Sequence, residues 1–86
     1  MLEKKKKAVK DFFAVLPHSI SLGMKIDFIG DGEVGMSMPY DKKLIGDPKT
    51  EVIHGGAVFS LLDTCCGAAA MSHPDQKGPT ATIDLR

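Results

Sequence analysis

The sequence has few of the residues that mark secreted, metal-binding or membrane-spanning chains. Only two cysteines occur in 86 residues, Cys65 and Cys66, and a disulfide between adjacent residues on a helix is implausible. The three histidines lack metal-ligand spacing, so we expect no metal and no other cofactor. No apolar run reaches the roughly 18 residues of a membrane span, and no signal-peptide pattern opens the chain. These absences favour a reduced, cytoplasmic protein.

Charge of a single sign is also lacking, since 11 basic and 11 acidic residues give a formal net charge of zero. This balance argues against nucleic acid or an anionic membrane as the main partner. The chain is long enough for one domain at most, and a domain of this size buries only about 60 to 65% of the surface of its unfolded chain. Its core is therefore marginal unless something else covers it.

Three elements are predicted before residue 40. Apolar side chains at helical spacing predict a helix from about Glu3 to Leu16, ended by Pro17, with the run Lys4 to Lys7 on its solvated face. Alternation then predicts two strands, around residues 24–28 and 34–38, joined as a hairpin through the turn at residues 30–33. We expect the first helix to lie on a surface as a lid or buttress.

The rest of the chain reads as a long loop, a helix and a third strand. Residues 40–53 contain Gly46 and Pro48 and predict a loop, which at this length is uncommon unless it has a function. A helix follows from His54, and residues 81–85 alternate as a strand that carries Thr82.

The stretch HGGAVFSLLDTCCGAAA, residues 54–70, is the most informative part of the sequence. It places one acid, Asp63, inside an otherwise apolar helix that opens with Gly55 and Gly56. If Asp63 is buried, the loss of hydration disfavours its charged form and suits it to act as a base or nucleophile. The N–H groups of the two glycines have no partner within the helix and let a substrate carbonyl or phosphate approach the positive end of the dipole.

The same residues have a plainer interpretation. A polar residue in an apolar helix can face a partner subunit or bond to backbone, and a glycine pair can be an ordinary loop-to-helix turn. Small and polar residues recur every three or four positions along the helix and form one stripe, which lines a cleft or permits a close contact between helices: Ser60, Asp63, Thr64 and Gly67. His54 can be a structural histidine bonded to backbone as readily as a group that transfers a proton.

With its HGG turn, an acid nine residues after the histidine and the later segment TATIDLR, the sequence resembles the hotdog-fold acyl-CoA thioesterases of the phenylacetate-pathway and 4-hydroxybenzoyl-CoA type. The resemblance implies an α+β hotdog fold, in which an antiparallel sheet wraps a long central helix. It also implies a homodimer or homotetramer with the site at the subunit interface, an acyl-CoA substrate, and hydrolysis to a free acid and CoA.

The resemblance also implies roles for particular residues. Asp63 becomes the carboxylate that activates water or attacks the thioester, Gly55 the backbone donor to the thioester carbonyl, and His54 the histidine at the helix entry. The remaining expected site residues contact or position the substrate: Gly56, Asp47, Thr64 and Thr82.

Two features depart from the family pattern. Glu51 stands three residues before His54, where related sequences usually carry glycine. The family domain is also longer than this chain, so residues 17–86 are expected to form only the first part of a hotdog domain, preceded by the helix of residues 1–16, with later strands missing. Two other functions stay open: a catalytically inactive module that binds acyl-CoA or supports assembly, and a hotdog hydratase.

Overall fold

The computed structural model of the protein describes residues 3–86 and has an α+β architecture. A long helix lies against a two-stranded antiparallel sheet, two shorter helices precede the sheet, and a small second hairpin leads into the long helix. In chain order the elements are α1 (Glu3–Ala14), α2 (Pro17–Leu22), β1 (Lys25–Gly30), β2 (Glu33–Ser37), a 3₁₀ turn (Lys42–Leu44), β3 (Ile45–Asp47), β4 (Val52–Ile53) and α3 (Gly55–Ser72).

Pro17 both ends one helix and begins the next. The predicted first helix is confirmed but ends at Ala14, because a residue that precedes proline is pushed out of the helical region, and Leu16 has φ −70° and ψ 119°. Pro17 then occupies the first turn of α2, which sequence analysis missed and where its absent N–H costs nothing. Gly23, at φ 74°, ends α2 in the left-handed conformation.

The predicted hairpin of β1 and β2 is confirmed, with one irregularity in its register. Gly30 pairs with Glu33 across a two-residue turn, and Gly32 takes φ 74° there. The register shifts between Ile26 and Phe28, as in a β-bulge. The simple alternation is therefore wrong at this point: Ile29 is buried in the core, whereas Phe28 lies on the exposed side, over Gly35.

The core forms where α1, the sheet and α3 meet. Its buried apolar side chains are Val9, Phe13, Ile29 and Ala68. The fully buried Ser72 connects the sheet to α3, since its Oγ accepts a hydrogen bond from Gly32 N at 3.0 Å and donates one to Ala69 O at 2.8 Å.

Lys5 corrects the expectation of a solvated lysine run. It is half-buried, and its Nζ donates to the carbonyls of His73 at 2.5 Å and Gln76 at 3.0 Å, just beyond the end of α3. A cation at a helix C-terminus also interacts favourably with the helix dipole. Helix α1 therefore buttresses α3, as expected of a helix on its surface.

Residues 40–53 are more ordered than the predicted loop. They form the 3₁₀ turn and the β3–β4 hairpin, whose turn Asp47 stabilises by accepting a hydrogen bond from Lys49 N at 2.9 Å. Glu51 has φ 59°, a left-handed conformation that suits glycine. The Tyr40 hydroxyl holds this position by donating to Glu51 O at 2.9 Å. Glu51 therefore has a conformation that glycine adopts more readily, at the position where the family it resembles usually carries glycine.

The predicted third strand is wrong for the residues that the structure describes. Residues 79–86 have no regular secondary structure, and Ile83 is fully exposed. A strand needs a neighbour to satisfy its backbone N–H and C=O groups, and neither hairpin pairs with this segment.

Much of α3 is uncovered by the rest of the chain. Three large apolar side chains on it are about half exposed: Val58, Phe59 and Leu62. By length and composition alone α3 is apolar enough to cross a membrane, a property it shares with core helices of soluble proteins. An exposed apolar surface of this kind is typical of an interface.

We predict that Glu51→Gly is more stable than Glu51→Ala. Both changes remove the same charge, but a non-glycine residue in the left-handed region costs roughly 1 to 2 kcal/mol, and glycine loses about 0.5 to 1 kcal/mol in backbone entropy. Urea unfolding at one fixed protein concentration should therefore give Glu51→Gly the higher midpoint. A lower midpoint for Glu51→Gly than for Glu51→Ala would show that this turn is not strained.

Candidate active site

His54 is the N-cap of α3, and its ring stabilises the first turn. Its Nδ1 accepts a hydrogen bond from Gly56 N at 2.8 Å, while its own backbone N–H donates to Leu44 O at 2.7 Å. Because Nδ1 accepts, the neutral ring carries its proton on Nε2. In this arrangement His54 has no free lone pair for use as a base, and it can donate one hydrogen bond from Nε2.

Two glycines make room for this cap. A Cβ on Gly56 would lie 2.9 Å from His54 Nδ1, and a Cβ on Gly46 would lie 2.8 Å from His54 Cα. Sequence analysis gave Gly46 only a loop role, and its signal is visible only once the β3–β4 hairpin is folded. The expectation that Gly56 offers its N–H to a substrate is wrong for this conformation, since His54 already uses that donor.

Gly55 differs from Gly56 in the partner of its N–H group and in the space beside its Cα. It is the first residue of α3, and its N–H has no partner within residues 3–86. A Cβ built on Gly55 meets nothing within 4 Å, and its φ is not in the left-handed region. Gly55 therefore presents an unpaired donor at the positive end of the helix dipole, on open surface.

Asp63 lies in the middle of α3 and is exposed, so the expectation of a buried acid is wrong for the chain alone. The covering that burial requires is missing from this face of α3. Thr82 Oγ1 donates a hydrogen bond to Asp63 Oδ1, which brings two predicted site residues together. Thr82 thus reaches Asp63 from an irregular segment and not from a strand.

Asp63 and Thr82 border a groove of about 250 Å³, and Thr64 and Gly67 line it as well. Its other walls come from α1 and from the segment after α3: Phe12, Phe13, Leu16, Met71, Pro79 and Thr80. Three members of the predicted polar stripe therefore do line a cleft.

Ser60, the fourth member of the stripe, belongs to a second groove at the start of α3. Its Oγ donates to Gly56 O at 2.8 Å and lies 3.0 Å from His18 Nε2. Because the hydroxyl proton is directed to Gly56, the His18 ring donates to Ser60. Sequence analysis missed this contact because α2 was not predicted.

Gly55 and Asp63 of one chain are too far apart to act on one carbonyl group. Eight residues separate them, or about 12 Å along an α-helix. Reacting groups need to be about 3 to 3.5 Å apart. The two predicted catalytic groups can act together only if they come from different copies of the chain.

Asp47 and the two cysteines line neither the Asp63 groove nor the groove at the start of α3. Hydrogen bonds from Lys49 N and Thr50 hold the pKa of the Asp47 carboxyl below its usual range. This exposed turn is consequently most stable above that range and weakens as the pH falls through the lowered pKa.

Burial raises the pKa of the Cys65 thiol, which donates to Val34 O at 3.3 Å, and Cys66 is also a free thiol. A protonated thiol is a poor nucleophile.

No cluster of three or more histidine, cysteine or acidic side chains suited to a metal ion occurs within residues 3–86. The polar groups described above are the backbone donor of Gly55, the imidazole of His54 and the Asp63 carboxylate with its neighbouring Thr82 hydroxyl.

Comparisons with known proteins agree with this fold. Residues 50–86 match the family model of the thioesterase superfamily. The crystal structure of a thioesterase family protein from Silicibacter pomeroyi superposes with a TM-score of 0.74 at 37% identity, over 83% of this chain and 51% of that chain. The matched part of the chain, residues 50–86, is thus a thioesterase-superfamily segment. The helix and antiparallel strands of the chain are part of a hotdog fold, as the resemblance implied.

Two further comparisons are consistent with this result. A crystal structure of a Pseudomonas aeruginosa protein superposes with a TM-score of 0.70 at 31% identity, over 93% of this chain and 59% of that chain. A candidate esterase from Halobacterium salinarum is 36% identical over 67 residues, which are 74% of this chain and 44% of the relative. The chain thus spans about half the length of these relatives.

We predict that the His54 cap can be replaced by asparagine but not by alanine. The asparagine side chain would place an amide oxygen where Nδ1 now accepts from Gly56, whereas loss of an N-cap acceptor costs about 1 kcal/mol. Denaturant unfolding should show His54→Asn within a few tenths of a kcal/mol of wild type and His54→Ala about 1 kcal/mol less stable.

The matched pair isolates the hydrogen bond from the ring. Equal losses in His54→Asn and His54→Ala would contradict the cap and assign the effect to packing of the imidazole against Gly46.

Proposed function

We propose that the protein hydrolyses acyl-CoA thioesters to a free acid and CoA, at sites formed between two copies of the chain. The single observation that carries the proposal is the N–H of the exposed Gly55 at the start of α3, which has no partner within residues 3–86. The match to the thioesterase superfamily supports hydrolysis of thioesters or esters in general. The CoA thioester as substrate, the residue roles and the dimer are proposals.

In this proposal Gly55 donates to the thioester carbonyl oxygen. Negative charge develops on that oxygen as the tetrahedral intermediate forms, and a fixed backbone donor at a helix N-terminus stabilises it. The cap at Gly56 keeps the first turn of α3 in place, so the direction of the Gly55 N–H does not have to be set during the reaction. His54 is thus a positioning residue, and its Nε2–H is available as a second donor.

Asp63 of the second copy supplies the carboxylate. As a base it takes one proton from water, the oxygen adds to the carbonyl carbon, and the carbon–sulfur bond breaks so that CoA leaves and is protonated. As a nucleophile its carboxylate would instead attack the carbonyl carbon, and the carbon–sulfur bond would break with departure of the CoA thiolate. Water would then hydrolyse the resulting mixed anhydride to the free acid and regenerate the Asp63 carboxylate. Thr82 donates to Asp63 Oδ1, which fixes the carboxylate and leaves Oδ2 for the reaction.

A two-fold axis between two antiparallel α3 helices would bring Gly55 of one copy close to Asp63 of the other, which one chain cannot do. In such an interface residue i of one copy meets residue j of the other, and the reverse holds at the second site. The exposed Val58, Phe59 and Leu62 provide apolar surface that association would cover. The two free thiols support a reducing, cytoplasmic location as part of the proposal.

The proposal predicts different costs for three substitutions. Asp63→Asn should keep acyl-CoA binding but lower kcat by roughly 10² or more. Gly55→Pro removes the N–H, which should cost about 10² to 10³ in rate, whereas Gly55→Ala keeps the N–H and should cost much less. Steady-state hydrolysis and equilibrium binding of a panel of acyl-CoAs measure these effects.

The local structure makes Gly55→Pro a fair test. Proline is favoured at the first helical position, and His54 at ψ 133° already has the extended conformation that a residue before proline prefers. Near-normal turnover in a folded proline variant would remove Gly55 as the donor. Tight acyl-CoA binding with no hydrolysis by the wild-type chain would favour the inactive binding module over the enzyme.

A further inference from the structure

A separate cavity lies between α1 and the β1–β2 sheet and shares only Phe13 with the Asp63 groove. It has a volume of about 190 Å³. Most of its lining is apolar and comes from α1 and from the strands: Phe13, Ala14, Met24, Ile26 and Met36. Two lysines, Lys10 on α1 and Lys25 at the start of β1, complete it.

The two lysines bring positive charge to the lining of the cavity. Both are exposed, and neither forms an ion pair or a side-chain hydrogen bond within residues 3–86. The acids closest to them in sequence have other partners. Asp11 pairs with Lys7 at 2.6 Å, and Asp27 Oδ1 accepts from Ser37 Oγ at 3.0 Å.

We propose that this cavity binds a short-chain aliphatic carboxylate, with the alkyl chain against the apolar lining and the carboxylate between Lys10 and Lys25. Ammonium groups and a carboxylate form charge-assisted hydrogen bonds. The methionine side chains of the lining are flexible and adapt to an inserted chain.

The volume limits the size of the ligand. About 190 Å³ is less than the roughly 300 Å³ or more of a site for a drug-sized ligand. This favours a short aliphatic carboxylate, such as hexanoate, over a drug-sized ligand. The proposal does not depend on the proposed hydrolysis, because the cavity is distinct from the Asp63 groove.

Methyl-labelled methionine distinguishes binding in this cavity from binding in the Asp63 groove. Met24 and Met36 line this cavity, whereas Met71 lines the Asp63 groove. In NMR titrations of the protein with sodium hexanoate, we expect the ¹³C-methyl signals of Met24 and Met36 to shift with saturation while Met71 stays unchanged. 1-Hexanol, with the same chain length but no charge, should bind more weakly.

Charge variants test the role of the lysines. Lys10→Gln with Lys25→Gln should weaken hexanoate binding by about threefold or more, and added salt should weaken binding to the wild type. Lys4→Gln with Lys49→Gln makes the same change in net charge away from the cavity and should leave binding unaltered. The proposal is overturned by the absence of shifts at Met24 and Met36, by equal shifts at Met71, by equal binding of 1-hexanol, or by equal effects of the two double variants.

Discussion

The hydrogen bond from Gly56 N to His54 Nδ1 is the interaction on which the candidate site depends. It satisfies one of the unpaired donors of the first helical turn. A second bond, from His54 N to Leu44 O, attaches the same residue to the preceding hairpin segment. Together they fix where α3 begins and leave Gly55 as the first residue with an unpaired N–H. The glycines at positions 46 and 56 are explained by the space that His54 occupies, while no atom of residues 3–86 lies within 4 Å of a Cβ built on Gly55. That difference is the reason for assigning the donor role to Gly55.

The length of α3 imposes the second constraint. A rise of about 1.5 Å per residue separates Gly55 from Asp63 by about 12 Å, and no change of rotamer closes that gap. Asp63 is also exposed and bonded to Thr82, in a groove that α1 and the last residues of the chain border. A donor at one end of the helix and a carboxylate at its middle are useful for one reaction only when two helices run antiparallel. The uncovered apolar side chains of α3 are consistent with such a partner. In the proposed enzyme, substrate binding and association of two copies would therefore be aspects of the same interface.

The sequence predicted most of the local structure. It failed where the conformation of a segment depends on contacts with residues distant in the chain. The α3 boundaries, the β1–β2 hairpin and its turn follow from periodicity, glycine and histidine at the helix start, and a two-residue loop. The bulge near Asp27 could not be predicted, because alternation assumes a regular register. Helix α2 was missed because Pro17 was interpreted only as the end of a helix. The strand at residues 81–85 was expected from its own pattern, but strands also need a neighbour, and the described chain gives it none. For the candidate site, the sequence placed His54, Gly55 and Asp63 at the start and in the middle of one helix, as the structure has them. The use of the Gly56 N–H by His54 is visible only in three dimensions.

The most direct test of the central claim mixes two inactive variants. Asp63→Asn chains retain the Gly55 donor, and Gly55→Pro chains retain the Asp63 carboxylate, so a mixed dimer has one complete site only if each site uses both copies. Co-expressed or unfolded and refolded together in equal amounts, the variants should give about a quarter of wild-type acyl-CoA hydrolysis, since half of the dimers are mixed and each has one intact site. Each variant alone should give about 1% or less. A mixture no more active than its separate components, with mixed dimers shown by mass spectrometry, would contradict a site shared between two copies.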